Sequence, residues 1–432
     1  MTAARHILLA AHPTVGHTNA LRAIGAELRA RGHATSFAIV HARVPFRSLW
    51  PEPIRAASHL PAGIAAEGAR VLGLSPSPAS LWHAARLPST TGQAELEIAL
   101  ALFTSGLRAQ SREIAAHVER TGASVVVGDY LMPAALLGAR LAKRPFVALY
   151  HSALPFPADG APPFGTVLPE SARGTDAWRE AEARLARMSE GFDARVAAAA
   201  RELGLRAPGT QLLSRPLPVE LNLLATTPEL EPGLSPLEGN VRMTGPCLPM
   251  RGALDSPGRA VLDALPRNGR VVYVSLGTVF NDRPAVYRAL ISGAASTGAQ
   301  VVVSAGASFE ALADLRSPTV QLHRRVPQVE LLDRVDLVVT HGGNNTVQEC
   351  LAAGRPMVVI PFGGDQLANA RRVERLGVGV CIDARGLSPD ALRDALAALS
   401  EQAVVARARE LARALANYGG TRAAADAVLS VR

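Results

Sequence analysis

The chain has 432 residues, 48% apolar and 19% charged, a balance that excludes a disordered or fibrous protein and gives length enough for two hydrophobic cores. The formal charge is +8, and Lys143 is the only lysine, so arginine carries nearly all of it. The arginines are scattered and aromatics make up 4%, which leaves neither a basic stripe nor stacking platforms for nucleic acid, although a basic surface would still attract anionic nucleotide sugars or anionic membranes modestly.

Cys247, Cys350 and Cys381 lie far apart with no metal-ligand spacing, which fits buried thiols in a reducing cytoplasm. The apolar run Ile7 to Ala11 is too short for a signal-peptide core, and His12-Pro13 interrupts it. No apolar stretch reaches the roughly eighteen residues of a membrane span.

Taken in order, His6 to Ala11 predicts a strand, Pro13-Thr14-Val15-Gly16-His17 a tight loop, and Thr18 to Arg31 a helix. Strands are expected at Ala34 to Val40, Ser124 to Gly128 and Phe146 to Tyr150. The stretches 80–120 and 171–205 read as helical, and Pro155 to Pro169 as a proline-rich loop. The pattern restarts with apolar runs at Val271 to Ser275, Val301 to Ser304, Leu337 to Thr340 and Met357 to Ile360. Such alternation implies βαβ units around parallel sheets. The fold expected is therefore α/β, with two doubly wound, Rossmann-like domains. Residues 1–225 form the first domain, 226–270 a Pro- and Gly-rich link and the start of the second, 271–415 the second domain, and 416–432 a terminal helix.

The segment Arg325 to Gln366 carries the most chemistry. After the strand Leu337 to Thr340, His341-Gly342-Gly343 turns into a helix near Asn344. The glycines let the backbone approach a ligand, and the N–H groups and dipole of a helix start suit a phosphate. His341, Asn345 and Thr346 add side-chain donors. Glu349, one turn beyond Asn345, offers two carboxylate oxygens to the hydroxyls of a ribose. Following the next strand, Pro361-Phe362-Gly363-Gly364 leads into Asp365-Gln366, a carboxylate and an amide suited to sugar hydroxyls. In the first half, His17 is a candidate general base, because an unperturbed imidazole titrates near pH 6.5. Asp129, at the end of the strand Ser124 to Gly128, is either its orienting partner or the N-cap of the next helix. His12, beside Pro13, is read as structural.

HGGNNTVQE followed by PFGGDQ resembles the donor-binding motif of the family-1 glycosyltransferases, a GT-B group with plant flavonoid and bacterial antibiotic and carotenoid members. The likeness extends to VPQ at 326–328, VYVSLGT at 272–278, TGP at 244–246 and the Gly16-His17 loop. It implies two domains facing a cleft, with the acceptor side lined by segments 60–120 and 150–215 and a tail helix crossing back to the first domain. It assigns the diphosphate to Ser275, His341, Asn345 and Thr346, and counts Thr278, Arg325, Gly343 and Asn344 among the donor-binding residues. Val326 and Gln328 would lie against base and ribose, Glu349 on the ribose, and Asp365 and Gln366 on the hexose. Many members carry tryptophan where this chain has Arg325; a guanidinium also stacks on a base, so uracil and thymine both stay open.

The implied reaction is inverting transfer of a hexose, from UDP-glucose or alternatively a dTDP-deoxysugar, to a hydroxyl of a small hydrophobic acceptor such as a polyketide, polyphenol or carotenoid. His17 and Asp129 would be catalytic. No cofactor is expected beyond the nucleotide sugar. The absence of a DxD element gives the expectation of no metal. No nucleic-acid partner is expected, and the assembly state expected is monomer or weak dimer. A dinucleotide-dependent oxidoreductase is disfavoured because the first βα loop lacks G-x-G-x-x-G. A sugar-binding protein on an inactive scaffold is disfavoured because His17, Asp129 and Asp365 are all present, and a nucleotide-sugar epimerase is left to product analysis.

Overall fold

Short apolar runs seed two parallel sheets. In β1 (His6–Ala11), Leu8 and Ala10 face one core while Ile7, Leu9 and Ala11 face another, and all five are fully buried. A strand covered on both faces calls for helices on each side of a parallel sheet. The computed structural model describes residues 4–41, 58–86, 92–249 and 254–432, apart from positions 160, 167, 232, 235, 255, 267, 279, 280 and 364. Gly364 of the PFGGDQ run therefore lies outside the described residues.

The first sheet adds β2 (Ala34–Val40), β3 (Arg70–Leu74), β4 (Val125–Asp129), β5 (Phe146–Tyr150), β6 (Leu221–Leu224) and β7 (Val241–Met243). Its order is β3-β2-β1-β4-β5-β6-β7, with every pairing parallel. The second contains β8 (Val271–Ser275), β9 (Gln300–Ser304), β10 (Val320–His323), β11 (Leu337–Thr340), β12 (Met357–Val359) and β13 (Gly379–Cys381). Its order is β10-β9-β8-β11-β12-β13, also parallel throughout. The expected α/β doubly wound architecture is thus what the chain adopts. In both sheets the strand order reverses beside the first strand, between β1 and β4 and between β8 and β11. The carboxyl ends of the strands flanking such a reversal are where doubly wound sheets hold ligands.

The chain divides into two compact units, Met1–Leu248 with Tyr418–Arg432, and Pro249–Asn417. The division falls inside the stretch 226–270, while Val241–Met243, earlier in that stretch, is strand β7 of the first sheet.

Helix α1 (Val15–Ala30) begins at Val15, not at Thr18 as the sequence suggests. Thr14 is its N-cap, and its hydroxyl accepts from the His17 N–H at 3.4 Å. Gly16 is thus helical rather than part of a tight loop, and a Cβ there would meet nothing within 4 Å. Helix α2 (Pro133–Leu141) follows β4. In the second unit the helices that bear on the site are α3 (Gln328–Leu331), α4 (Asn344–Ala352) and α5 (Gln366–Arg375).

The terminal helix α6 (Gly420–Ser430) belongs to the first unit. Its Ala424, Ala425, Ala427 and Val428 share a core with Leu21, Ile24 and Leu28 of α1. Arg31 pairs with Asp426, and Arg5 Nη1 donates to the Leu429 carbonyl at 2.8 Å. Among the described residues no helix is long and apolar enough to cross a membrane.

Candidate functional site

In the first unit, parallel register sets the site. Ala10 of β1 pairs with Gly128 of β4, and Asp129 of β4 pairs with Leu149 of β5. The three neighbouring strands therefore bring His12, Asp129 and His151 to one carboxyl edge, and the first turn of α1 adds His17. The Asp129 carboxylate is fully buried. Its Oδ2 accepts a hydrogen bond from His17 Nδ1, and its Oδ1 accepts from the Leu131 N–H at 2.9 Å. His151 Nε2 lies 3.3 Å from the same Oδ1. The N-cap reading of Asp129 does not hold, because α2 is capped by Met132 and the Asp129 carboxylate closes a turn onto Leu131 instead.

Burial opposes ionisation of Asp129, but His17 and His151 outweigh it and hold the carboxyl well below its usual range. Burial also lowers His12 to about 4, against the opposing pull of Asp129. His12 is therefore neutral near pH 7, and its Nε2 donates to the Leu131 carbonyl at 3.0 Å. Its ring stacks on Phe103 at 4.3 Å, and Phe103 also lies 5.3 Å from the His17 ring. Nδ1 of His17 is committed to Asp129, and Nε2 lies on the far side of the ring.

One ligand atom each from His17, Asp129 and His151 falls within 4.8 Å of the others, the one such His, Cys, Asp or Glu grouping among the described residues. Within this group a direct hydrogen bond joins His17 to Asp129. Sequence reasoning missed His151 and set His12 aside. The available signal was a histidine directly after an apolar strand, in Tyr150-His151.

In the second unit, Thr340 of β11 pairs with Ser275 of β8, which sets the following His341 beside the Ser275 turn. Ser275 is buried, and its hydroxyl accepts from Gly277 N–H at 3.3 Å. Gly277 has φ +73°, and a Cβ there would run into the His341 imidazole. A Cβ on Gly343 would lie 2.5 Å from His341 Nε2. Both glycines thus make room for the ring. Burial lowers His341 to about 4, so it acts as a neutral single donor rather than a cation. Thr278 is exposed at the end of this loop.

Asn344 opens α4, with Gly343 as its N-cap and no side-chain cap bond, and the N–H groups and dipole of such a helix start suit an anion. Asn345 is half-buried in the same turn. Beneath the turn, Asn369 Nδ2 donates to the Gly342 carbonyl at 2.9 Å, and Arg372 Nη1 lies 3.4 Å from Asn344 Oδ1. Neither support was foreseen from sequence.

Gln328 joins the VPQ segment to α4. Its Nε2 donates to Glu349 Oε2 at 2.6 Å and to Thr346 Oγ1 at 3.2 Å, while its Oε1 accepts from the Tyr273 hydroxyl at 2.8 Å. Both ends of the amide are committed within the protein, so the side chain braces Glu349. Glu349 is 6% exposed, and burial raises it to about 7, opposed by the Gln328 hydrogen bond. Arg325 is exposed and Val326 half-buried in the loop just before α3.

Gln366 Oε1 accepts from Phe362 N–H at 2.8 Å and Gly363 N–H at 3.3 Å, so the side chain shapes the loop. Asp365 precedes α5, and its Oδ2 lies 3.4 Å from Asn369 Nδ2.

A family profile described as "UDP-glucoronosyl and UDP-glucosyl transferase" matches residues 260–407, all within the second unit. The chain is 31% identical to the NDP-glycosyltransferase YjiC of Bacillus licheniformis, over 49% of this chain and 53% of that protein. The match thus spans about half the length of this curated relative. Similarity to the zeaxanthin glucosyltransferase of Pseudescherichia vulneris is lower, 24%, but runs over 87% of this chain and 85% of that one. Among solved structures, the glycotransferase of kitacinnamycin superposes with a TM-score of 0.68 at 25% identity, covering 99% of this chain and 98% of the other.

Proposed function

We propose that this chain, which belongs to the UDP-glucuronosyl and UDP-glucosyl transferase family and has its GT-B fold, transfers a hexose from a nucleoside diphosphate sugar to a hydroxyl of a small hydrophobic acceptor. The observation that carries this reading is the hydrogen-bonded His17–Asp129 pair at the strand-order reversal of the first sheet. A neutral imidazole whose Nδ1–H rests on a buried carboxylate is a general base, and it gains strength as its cation forms.

The chemistry follows from that pair. His17 Nε2 takes the acceptor hydroxyl proton as the acceptor oxygen attacks the anomeric carbon. The bond from that carbon to the diphosphate oxygen breaks, and the nucleoside diphosphate leaves with the electron pair. Attack opposite the leaving group inverts the centre, so an α-linked donor gives a β-glycoside. In the donor unit, the start of α4 and the His341 N–H meet the negative charge that develops on the diphosphate. Ser275, Asn345 and Thr346 would add hydroxyl and amide contacts to the phosphates, and Glu349 would accept from the ribose hydroxyls. Asp365 and the amide nitrogen of Gln366 would take the hexose, with UDP-glucose as the donor. Backbone dipoles and a neutral imidazole supply the diphosphate's stabilisation, so the reaction proposed needs no divalent cation.

The test is a panel of polyketide, polyphenol and carotenoid acceptors incubated with UDP-glucose or dTDP-glucose and read by mass. The reading predicts a product heavier by one hexose residue with UDP-glucose. Transfer from dTDP-glucose alone would overturn the donor assignment, and no adduct from either donor would overturn the reaction.

A further inference from the structure

The mechanism above uses one face of Asp129. The other face carries contacts that it leaves without a role. At the ends of three adjacent parallel strands, the buried carboxylate is ringed by His12, His17 and His151. His17 is the proposed base. His12 is tied to the Leu131 carbonyl, whose own N–H holds Asp129 Oδ1 at 2.9 Å. His151 is 5% exposed, stands 3.3 Å from that same Oδ1, and has its ring centroid 4.8 Å from the ring of His17.

We propose that His151 is a positioning residue for the base: its Nε2, together with the Leu131 N–H, holds Asp129 Oδ1 so that Oδ2 stays ionised and aimed at His17 Nδ1. The inference rests on the general-base reading of His17. A base waiting for its acceptor must be neutral, and at that moment His17 lends its buried carboxylate partner no positive charge. Desolvation then pushes the carboxyl toward holding the proton itself. A protonated Asp129 would donate to Nδ1, place the tautomeric proton on Nε2 and block proton abstraction. Donors on Oδ1 oppose this outcome by stabilising the charged form. His151 is the side chain placed to supply one, and the short β5 strand delivers it at the register where Leu149 faces Asp129.

The test compares two substitutions. His151→Phe keeps the ring volume and removes the donor. His151→Gln keeps a donor nitrogen near the position of Nε2. Each is read by kcat and KM for both substrates, by thermal unfolding, and by the downfield proton resonance of the His17–Asp129 hydrogen bond, which needs no substrate. The expected result is a kcat about tenfold lower in the Phe variant, a fraction of the roughly 10² to 10⁴ that a general base contributes. Both KM values should stay within about twofold, the resonance should shift or broaden, and the Gln variant should recover kcat to within about threefold. A Phe variant with wild-type kcat and an unmoved resonance overturns the inference. So do Phe and Gln variants that lose equal activity and equal thermal stability, since that marks a packing role. If the wild type transfers no sugar yet the resonance moves in the Phe variant, the proposed reaction fails while the positioning role stands.

Discussion

Glu349 gives the sharpest quantitative handle on donor binding. Burial raises its carboxyl to about 7, against the ordinary value of 4.5, while the Gln328 hydrogen bond pulls the other way. A ribose contact of the kind proposed requires the ionised form, because a carboxylate accepts from two hydroxyls whereas a carboxylic acid spends one oxygen as a donor. The sign follows: a carboxyl titrating near 7 is charged above that pH and loses its charge as the pH falls through it. For one such group about nine-tenths of the molecules are ionised at pH 8 and about one-tenth at pH 6, so the association constant should fall about tenfold between them, or about 1.4 kcal/mol. UDP-glucose is the right probe, since its diphosphate is esterified at both ends and carries no proton that titrates near neutrality. Isothermal titration from pH 6 to 8.5 should show this fall, and Glu349→Gln should bind more weakly with a flat pH profile. An affinity independent of pH in the wild type, or the same slope in the Gln variant, would refute the reasoning.

Asp129→Asn should lower kcat by about 10² or more while leaving nucleotide affinity within about twofold, read by initial rates and titration, because the amide can present its N–H to the base nitrogen and trap the wrong tautomer. Gly343→Ala places a methyl 2.5 Å from His341 Nε2 and must displace the ring. An overpacking cost of about 1–3 kcal/mol should appear as donor affinity weaker by about fivefold or more in titration, with a lowered melting temperature. Dialysis against EDTA should leave the transfer rate within about twofold, and added magnesium should not raise it; a rate that collapses and is restored by a divalent ion would contradict the dipole-based account of the leaving group.

The interior strands are plain in the sequence because burial on both faces demands unbroken apolar runs, as in Ile7 to Ala11 and Val271 to Val274. Edge strands escape that demand. β3 reads Arg-Val-Leu-Gly-Leu and β10 reads Val-Gln-Leu-His, and each exposes part of its length, so neither stands out from its flanking turns. β6 was hidden differently, by the buried Asn222, whose side chain donates to the Leu217 carbonyl at 2.9 Å.

The candidate site divides along the same line. Residues adjacent in a motif, such as His341 to Thr346, can be read locally. Asp129 with His151, Tyr273 with Gln328, and Asn369 with Gly342 are partners set by sheet order and helix packing, and no spacing rule encodes them. The start of α1 was misplaced for a local reason: Pro13 and Gly16 suggest a turn, but the Thr14 hydroxyl caps a helix through both Gly16 and His17.

The central claim is a division of labour, with proton abstraction assigned to the first unit and nucleotide binding to the second. Measuring kcat and the dissociation constant for UDP side by side in His17→Ala tests it most directly. The account predicts that transfer falls by about 10² or more, the range of a lost general base, while UDP affinity stays within about twofold of wild type. Full transfer activity in the variant, or a loss of UDP binding that tracks the loss of rate, would contradict it.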